Sequence, residues 1–341
     1  SNTGTLNNMT NADWVQGNAS FSDPPASSNS GKTFTLDPSA NLSYSTTYKT
    51  RVTTVVKDVA GNNLGSEYVT SIGFKTIFQP QTKAELQTAV DLWVSNNSSA
   101  LSTYGEINTW EVSLITNMSS LFEDKTSFND DISNWNVSGV ASMSSMFENA
   151  TSFNQDISSW DVENVTNMYS MFFNASSFNQ NLSSWDIVKV TNMDRMFYNA
   201  QNFNNNGQPL TWNVSSVGDM QYMFSRASSF NQDISSWNVS HGPNMQGMFN
   251  TATAFNQDIS SWKVDNVTNM SVMFKYATSF NQDISGWIVD NVTNMDNMFL
   301  SANGLSARGK CVLHNAFKSN SNWGYNWTSG CGDWQPQNKS E

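Results

Sequence analysis

Acidic side chains recur at a fixed distance from tryptophan along this sequence. One column of aspartates lies four residues before a tryptophan, and its members are Asp131, Asp156, Asp233, Asp258 and Asp283. Oxygen ligands of this kind suit Ca²⁺, whereas an aspartate at a turn can instead accept hydrogen bonds from its own backbone. Because like charges about 5 Å apart repel each other, either Ca²⁺ or backbone N–H groups must compensate. The sequence leaves both interpretations open and suggests no other cofactor.

A second polar column follows the tryptophans, either directly or two residues further on. Its acidic and amide members are Glu111, Asn136, Asp161, Glu163, Asp186, Asn213, Asn238, Asp265 and Asp290. Strand alternation points these residues away from a core that contains the tryptophans, so we expect them to form a concave ligand-binding face. Paired carboxylates such as Asp161 and Asp186 could also act on a glycan, but the pattern implies no cleft and no histidine beside them. We therefore expect no catalytic residue.

Both columns arise from an internal repeat. Tryptophan recurs at steps of 25 or 27 residues, at Trp110, Trp135, Trp160, Trp185, Trp212, Trp237, Trp262 and Trp287. A methionine follows each of these tryptophans after eight residues, and a phenylalanine follows after twelve. A fixed period between about 20 and 50 residues is typical of a solenoid. The repeat therefore outranks the local signals in predicting the fold.

One repeat, residues 153–175, shows the expected local structure. Alternation over Trp160–Val162 predicts a short strand. Apolar residues at i, i+3, i+4 and i+7 then predict a short helix, and they are Met168, Met171, Phe172 and Ala175. The Ile-x-x-Trp-x-Val spacing matches the L-x-x-L-x-L skeleton. We therefore predict an α/β solenoid, a right-handed coil of the leucine-rich-repeat type with a parallel sheet and short helices.

The ends of a solenoid need caps, because a terminal repeat exposes its core to water. We expect the solenoid over residues 79–335, with an N-terminal cap at 79–109, eight repeats at 110–305, a C-terminal cap at 306–335 and a tail at 336–341. Helical spacing over Thr82–Ser95 predicts a capping helix. Cys311 and Cys331 are the only cysteines and bracket the second cap. We expect them to form a disulfide, although two reduced cysteines in a cytosolic chain are the alternative.

Residues 1–78 follow a different pattern. Phe34 and Leu36 alternate, as do Tyr68, Thr70, Ile72 and Phe74, and Asp58–Gly65 reads as a turn. These short strands predict a small all-β sandwich. Their number is low for such a domain, so we expect its first strands to lie outside this sequence.

Composition excludes several classes of function. Only 13% of the 341 residues are charged, and the net charge is −12 without a cluster of Lys or Arg, so nucleic acid is a poor partner. Two His and two Cys cannot build an array of zinc sites. No apolar run of about 18 residues predicts a transmembrane segment. We expect a monomer.

The repeat resembles a known family. The segment FNQDISSWDVENVTNMYSMF resembles the repeat of BspA-like leucine-rich-repeat surface proteins of bacteria, also seen in mycoplasma lipoproteins, and the resemblance covers about residues 82–331. The segment LSYSTTYKTRVTTVVKDVAGNNL resembles the SbsA-type bacterial Ig-like domain, over about residues 32–76. The resemblance implies an extracellular or cell-surface protein of bacteria, with its signal peptide outside this sequence.

Three functions remain open at this point. The resemblance favours a non-enzymatic module for adhesion, which would bind a protein or glycan on the surface of a host or a neighbouring cell. A structural spacer that displays another domain is the second hypothesis. A glycan-acting enzyme is a distant third.

Overall fold

A computed structural model describes residues 26–28, 33–35, 44, 47–49, 51–52, 54, 62–71, 74–328 and 331. The remaining strands expected in residues 1–78 and the tail at 336–341 lie outside the described residues. The chain forms two compact units. The first comprises Ser1–Phe78 and Ser98–Trp110, and the second comprises Gln79–Asn97 and Glu111–Glu341. Residues 98–109, expected in the N-terminal cap, and Trp110, expected to begin the first repeat, therefore group with the N-terminal segment.

Short antiparallel strand pairs make up the described part of the first unit. Strand β1 (Ala26–Ser28) pairs with β2 (Thr33–Thr35), β3 (Thr47–Tyr48) pairs with β6 (Phe74–Lys75), and β4 (Arg51–Val52) pairs with β5 (Tyr68–Val69). An aromatic cluster lies in the same unit. The Phe78 ring is 4.5 Å from that of Tyr104 and 5.2 Å from those of Tyr44 and Trp110. The β-sandwich remains an expectation.

The predicted N-terminal capping helix is confirmed as α1 (Lys83–Ser95), followed by α2 (Asn97–Tyr104). Thr82 caps α1, because its hydroxyl accepts a hydrogen bond from the Glu85 N–H at 3.2 Å. One face of α1 is buried through Leu86, Ala89, Val90 and Trp93. The Trp93 indole donates to Asp130 at 3.0 Å, and Gln87 donates to the Leu121 carbonyl at 3.0 Å. These bonds fasten α1 to the first repeat.

Consecutive repeats lie side by side and are joined in parallel. Isolated parallel bridges link equivalent residues of neighbouring repeats, such as Asn167 with Asn192. Backbone N–H groups reach across the same junctions; those of Met168 and Phe172 donate to the carbonyls of Asn192 and Met196 at 3.0 and 2.8 Å. Each repeat therefore provides the hydrogen-bonding edge for the next.

The short helix and the short strand expected in each repeat are not formed. Residues 169–174 form successive turns, and the segment Trp160–Val162 is not a strand. Ser170 and Asn174 have positive φ angles of 51° and 56°, which interrupt a right-handed helix. Within this turn ribbon, which recurs in every repeat, alternate N–H groups bond inside the repeat while the others bond the neighbour. An α-helix would keep all these donors within its own chain segment, so it would forgo the junctions between repeats.

The apolar columns form a continuous core despite this difference. Met168, Met171, Phe172 and Ala175 are all fully buried, as the periodicity predicts. Equivalent phenylalanine rings stack across repeats; the Phe172 and Phe197 centroids are 5.5 Å apart with an interplanar angle of 3°. From Trp160 to Trp287 each indole N–H of the tryptophan column donates across the junction, as when Trp185 donates to the Ile157 carbonyl at 3.1 Å. Tryptophan is therefore a core residue in these repeats.

The C-terminal cap follows the prediction. Helix α3 (Ala307–Phe317) begins after Ser306, whose hydroxyl accepts from the Gly309 N–H at 3.0 Å. Cys311 and Cys331 form the expected disulfide. Three aromatic rings cover the last phenylalanine of the core, Phe299, with centroids 5.8–6.2 Å from it, and they belong to Trp323, Tyr325 and Trp327. These rings shield the end of the core from water.

Candidate functional site

The predicted ligand-binding face lies at the surface next to the buried tryptophans. We call it the tryptophan-flanking face; its exposed members are Asn136, Asp161, Glu163, Asp186, Asn213, Asn238 and Asp290, while Glu111 and Asp265 are half-buried. Several of these side chains accept a hydrogen bond from the backbone two residues on, as Asp161 does from Glu163 and Asp186 does from Val188, both at 3.1 Å. Such Asx turns restrict the side chains. The face is therefore polar and locally ordered.

Part of the negative charge of the tryptophan-flanking face is compensated by a lysine of the neighbouring repeat. The Lys189 ammonium group lies 3.3 Å from the Glu163 carboxylate and 2.8 Å from the Asn164 amide oxygen. All three side chains are exposed, so the ion pair contributes little to stability. Asp161 and Asp186 are the carboxylates of this region without an ion pair among the described residues.

The aspartate column forms Asx turns as well. Each of its carboxylates accepts the N–H of the serine two residues later at 2.8–3.0 Å; the acceptors are Asp131, Asp156, Asp233, Asp258 and Asp283. The Ser158 hydroxyl and N–H lower the pKa of Asp156, and the Ser260 N–H and hydroxyl lower that of Asp258. Backbone N–H groups thus stabilise the charge of these carboxylates.

Calcium binding by this column stays a prediction. Within the described ranges, no three side chains of His, Cys, Asp or Glu are grouped so that they could hold a metal ion. If the column binds Ca²⁺, millimolar calcium is expected to raise the melting temperature, because a ligand that prefers the folded state stabilises it. The same titration with Mg²⁺ is the control. An unchanged melting temperature with Ca²⁺ would contradict the prediction.

A separate column of asparagines connects the repeats by hydrogen bonds. The amide oxygen of Asn154 accepts from the Asn179 N–H at 2.9 Å, and that of Asn179 accepts from the Asn204 N–H at 2.8 Å. The pattern continues until Asn281 accepts from the Ser306 N–H at 3.0 Å. The ladder forms because an asparagine recurs at the equivalent position of consecutive repeats. These asparagines are structural.

The inserted residues in one repeat are organised around a buried asparagine. Asn205 is fully buried, with φ of 47°, inside a short 3₁₀ turn at Asn205–Gly207. Its amide oxygen accepts from the Leu182 N–H at 2.7 Å. Its amide nitrogen donates to the Ser183 hydroxyl and the Gln208 carbonyl at 2.8 Å, and to the Pro209 carbonyl at 3.2 Å. The insertion is therefore a well-bonded bulge.

A polar cluster that the sequence reasoning missed lies on the turn ribbon of two adjacent repeats. Asp194 is only 8% exposed. One of its carboxylate oxygens pairs with the Arg195 guanidinium at 2.7 Å, while the other is buried and has no hydrogen-bond partner among the described residues. Burial raises the pKa of Asp194 to about 6, Arg195 opposes the shift, and the Asp219 carboxylate of the next repeat adds to it. Carboxyls perturbed in this way concentrate at functional sites.

Aromatic rings hold the two arginines of this cluster. The Arg195 guanidinium lies over the Tyr222 ring, 5.5 Å from its centroid, and the Arg226 guanidinium lies over Tyr198 at 5.8 Å. The Tyr198 ring also stacks on Phe173 at 4.7 Å. We call Arg195, Tyr198, Tyr222 and Arg226 the arginine–tyrosine patch. Cation–π contacts of this kind are stabilising and restrict the guanidinium groups.

The sequence does carry a signal for this patch. Arg195 and Arg226 are the only arginines between Trp110 and Leu305, and no other repeat carries a basic residue at either of their positions. The predicted helix gave no reason to single them out, because charged residues between the apolar positions of a helix are expected on its solvent-exposed face. Only the turn ribbon brings these two arginines into contact with tyrosines of the neighbouring repeat.

Comparison with known proteins gives two family matches. Residues 91–210 and 206–310, together more than half of the chain, match the family described as Mycoplasma protein of unknown function, DUF285. The chain belongs to this family. Residues 2–76 match the bacterial Ig-like domain. No curated protein and no solved structure matches the chain closely enough to count as a relative.

Membership in the DUF285 family identifies a surface-type repeat protein that carries a bacterial Ig-like domain. Both matches are to non-catalytic, surface-type domains. Together with the disulfide they indicate an extracellular location. In the part of the chain that the structure describes, no helix is both long enough and apolar enough to cross a bilayer.

Proposed function

We propose that this DUF285 protein is a non-enzymatic adhesion module, which binds a protein or glycan of a host or neighbouring cell through the tryptophan-flanking face. The observation that carries the proposal is the exposure of one polar position on consecutive repeats beside a fully buried tryptophan column. Because the repeats are joined by backbone hydrogen bonds, this face presents an extended row of polar groups. Such a row suits a ligand that is itself extended.

We further propose that residues 79–335 form a leucine-rich-repeat-like, right-handed solenoid, and that the Ig-like segment at 1–78 is a β-sandwich. The period of 25 residues and the parallel junctions support the first assignment. The match to a bacterial Ig-like domain over residues 2–76 supports the second. In this arrangement the repeats supply the binding surface.

The proposal is tested on a matrix-protein and glycan array. Wild-type protein is expected to bind at least one component, and a variant with Asp161→Lys and Asp186→Lys is expected to lose at least roughly tenfold in affinity, because complementary charge contributes to recognition. The matched control carries the same charge change on the aspartate column, as Asp258→Lys and Asp283→Lys, and is expected to bind like wild type. An array without any wild-type binding favours the spacer, and turnover of a polysaccharide favours the enzyme; either would overturn the proposal.

A further inference from the structure

We propose that the arginine–tyrosine patch is a second binding site, which recognises the carboxylate group of an acidic glycan. It uses the turn ribbon, not the tryptophan-flanking face, so it does not rest on the function proposed above. The patch combines two guanidinium groups from adjacent repeats with two tyrosine rings that hold them. Guanidinium is the side-chain group whose planar fork of N–H donors matches a carboxylate.

Donors of both arginines remain available at the surface. The Arg195 side chain is 36% exposed and uses Nη1 for the Asp194 carboxylate. Arg226 is exposed and forms no ion pair among the described residues; its guanidinium contacts the Tyr198 ring instead. A ring beneath a guanidinium leaves the in-plane N–H groups free to point outward. An arriving oxyanion therefore meets charged donors that are already restrained.

The neighbouring residues are arranged to hold Tyr222. Gly247 takes the equivalent position in the next repeat, and a Cβ atom there would clash with the Tyr222 ring. Gln246 donates to the Tyr222 hydroxyl at 2.9 Å, and Asn269 donates to the Gln246 amide oxygen at 3.2 Å. The ring is thus enclosed between a guanidinium and a glycine and is tethered at its hydroxyl. Such support from surrounding residues is typical of a preorganised binding site.

Charge determines the class of anion. The chain has a net charge of −12, Asp194 pairs with Arg195, and the Asp219 carboxylate lies close enough to Asp194 to act on its charge. A uniformly charged polyanion would be repelled outside the patch. The ligand that fits is a mostly neutral molecule with isolated carboxylates. A glycan that carries occasional acidic sugars has this distribution of charge.

The surroundings also favour a sugar over a peptide. Peptide interfaces centre on buried apolar or aromatic anchors, but none of the exposed large apolar side chains of the described residues belongs to this patch. Half-buried amide side chains lie beside it, among them Gln221, Gln246 and Asn250. Its aromatic neighbour Phe173 is engaged in stacking on Tyr198. Amide groups suit the hydroxyl groups of a sugar.

The test is a binding measurement with acidic oligosaccharides. The probes are sialate-, glucuronate- and galacturonate-terminated oligosaccharides, each beside its neutral counterpart, with an octapeptide of glutamate as the peptide arm. The full chain is expected to bind at least one acidic probe and not its neutral counterpart. Arg226→Gln is expected to weaken this binding by roughly tenfold or more, since it removes a charged hydrogen bond. Arg226→Lys, which keeps the charge and loses the fork, is expected to recover only part of the affinity.

Lys263→Gln is the matched control, because it removes one exposed positive charge from the tryptophan-flanking face. It is expected to bind the acidic probe like wild type. The proposal is overturned if no acidic oligosaccharide binds, if Arg226→Gln and Lys263→Gln bind equally, or if the glutamate peptide binds as tightly as the best glycan. Since Asp161→Lys and Asp186→Lys alter the other face, loss of binding by those changes alone would assign the glycan to that face and contradict the second site.

Discussion

Replacement of Asn205 by alanine is expected to lower the free energy of unfolding by about 2–4 kcal/mol. The change leaves the buried Leu182 N–H without its acceptor, and it leaves the Gln208 and Pro209 carbonyls without their donor. Each unsatisfied buried group costs about 1–3 kcal/mol. Alanine is also strained at the left-handed backbone of this position, whose φ is 47°. The measurement is urea unfolding followed by circular dichroism.

Asn206→Ala is the control for that experiment. Asn206 has almost the same backbone conformation, with φ of 49°, but its side chain is exposed. The control should therefore show the cost of left-handed backbone alone, roughly 1–2 kcal/mol. If the two variants lose the same stability, the hydrogen bonds of Asn205 contribute nothing measurable, and the account of the insertion as a bonded bulge is wrong.

The second large effect is a pH dependence that comes from Asp194. The pKa of this carboxyl is about 6 in the folded protein, against an ordinary value of 3.8. Because the folded state holds the proton more tightly, this residue's contribution to stability is fully present below about pH 4 and is lost as the pH rises through 6. We expect the free energy of unfolding of wild type to fall by about 1–3 kcal/mol, relative to Asp194→Asn, between pH 4 and pH 7.5.

Paired unfolding curves at several pH values test this expectation. Asp186→Asn removes an exposed carboxylate of the same repeat and is expected to keep the wild-type pH profile. The readout is the difference in slope between the two profiles, and the Arg195 ion pair, which forms only when Asp194 is ionised, is already included in the pKa of about 6. Parallel profiles of wild type and Asp194→Asn would show that burial does not perturb this carboxyl.

Much of the core was predictable from spacing. A period of 25 residues places one tryptophan, one methionine and one phenylalanine at equivalent points of each repeat, and such residues can leave water only by stacking on their equivalents. The hydrogen-bond ladder from Asn154 to Asn204 was predictable for the same reason. An asparagine at the same position of each repeat places its side-chain amide beside the equivalent backbone N–H of the next repeat. The two caps were predictable because the repeat pattern of the sequence changes at Thr82 and at Lys310.

The local backbone was not predictable in this way. The spacing of Met168, Met171, Phe172 and Ala175 is that of a helix, yet these residues are buried from a ribbon of turns. Periodicity indicates which side chains face the core. A helix and a ribbon of turns can both place the same side chains there. Hydrogen bonding to the next repeat decides between them, because the ribbon lets half of its N–H groups donate across the junction.

Thus the sequence by itself determined the repeat, its buried columns and the position of the two caps, while the disulfide between Cys311 and Cys331 was an expectation that the structure confirms. The tertiary structure alone decided how the turns run and which side chains of neighbouring repeats meet. Asp194 and Asp219 are 25 positions apart in the sequence, and Arg195 and Tyr222 are 27 positions apart. Their interaction depends on distances between stacked repeats, which a one-dimensional pattern does not contain. That is why the buried carboxyl and the arginine–tyrosine patch emerged only from the fold.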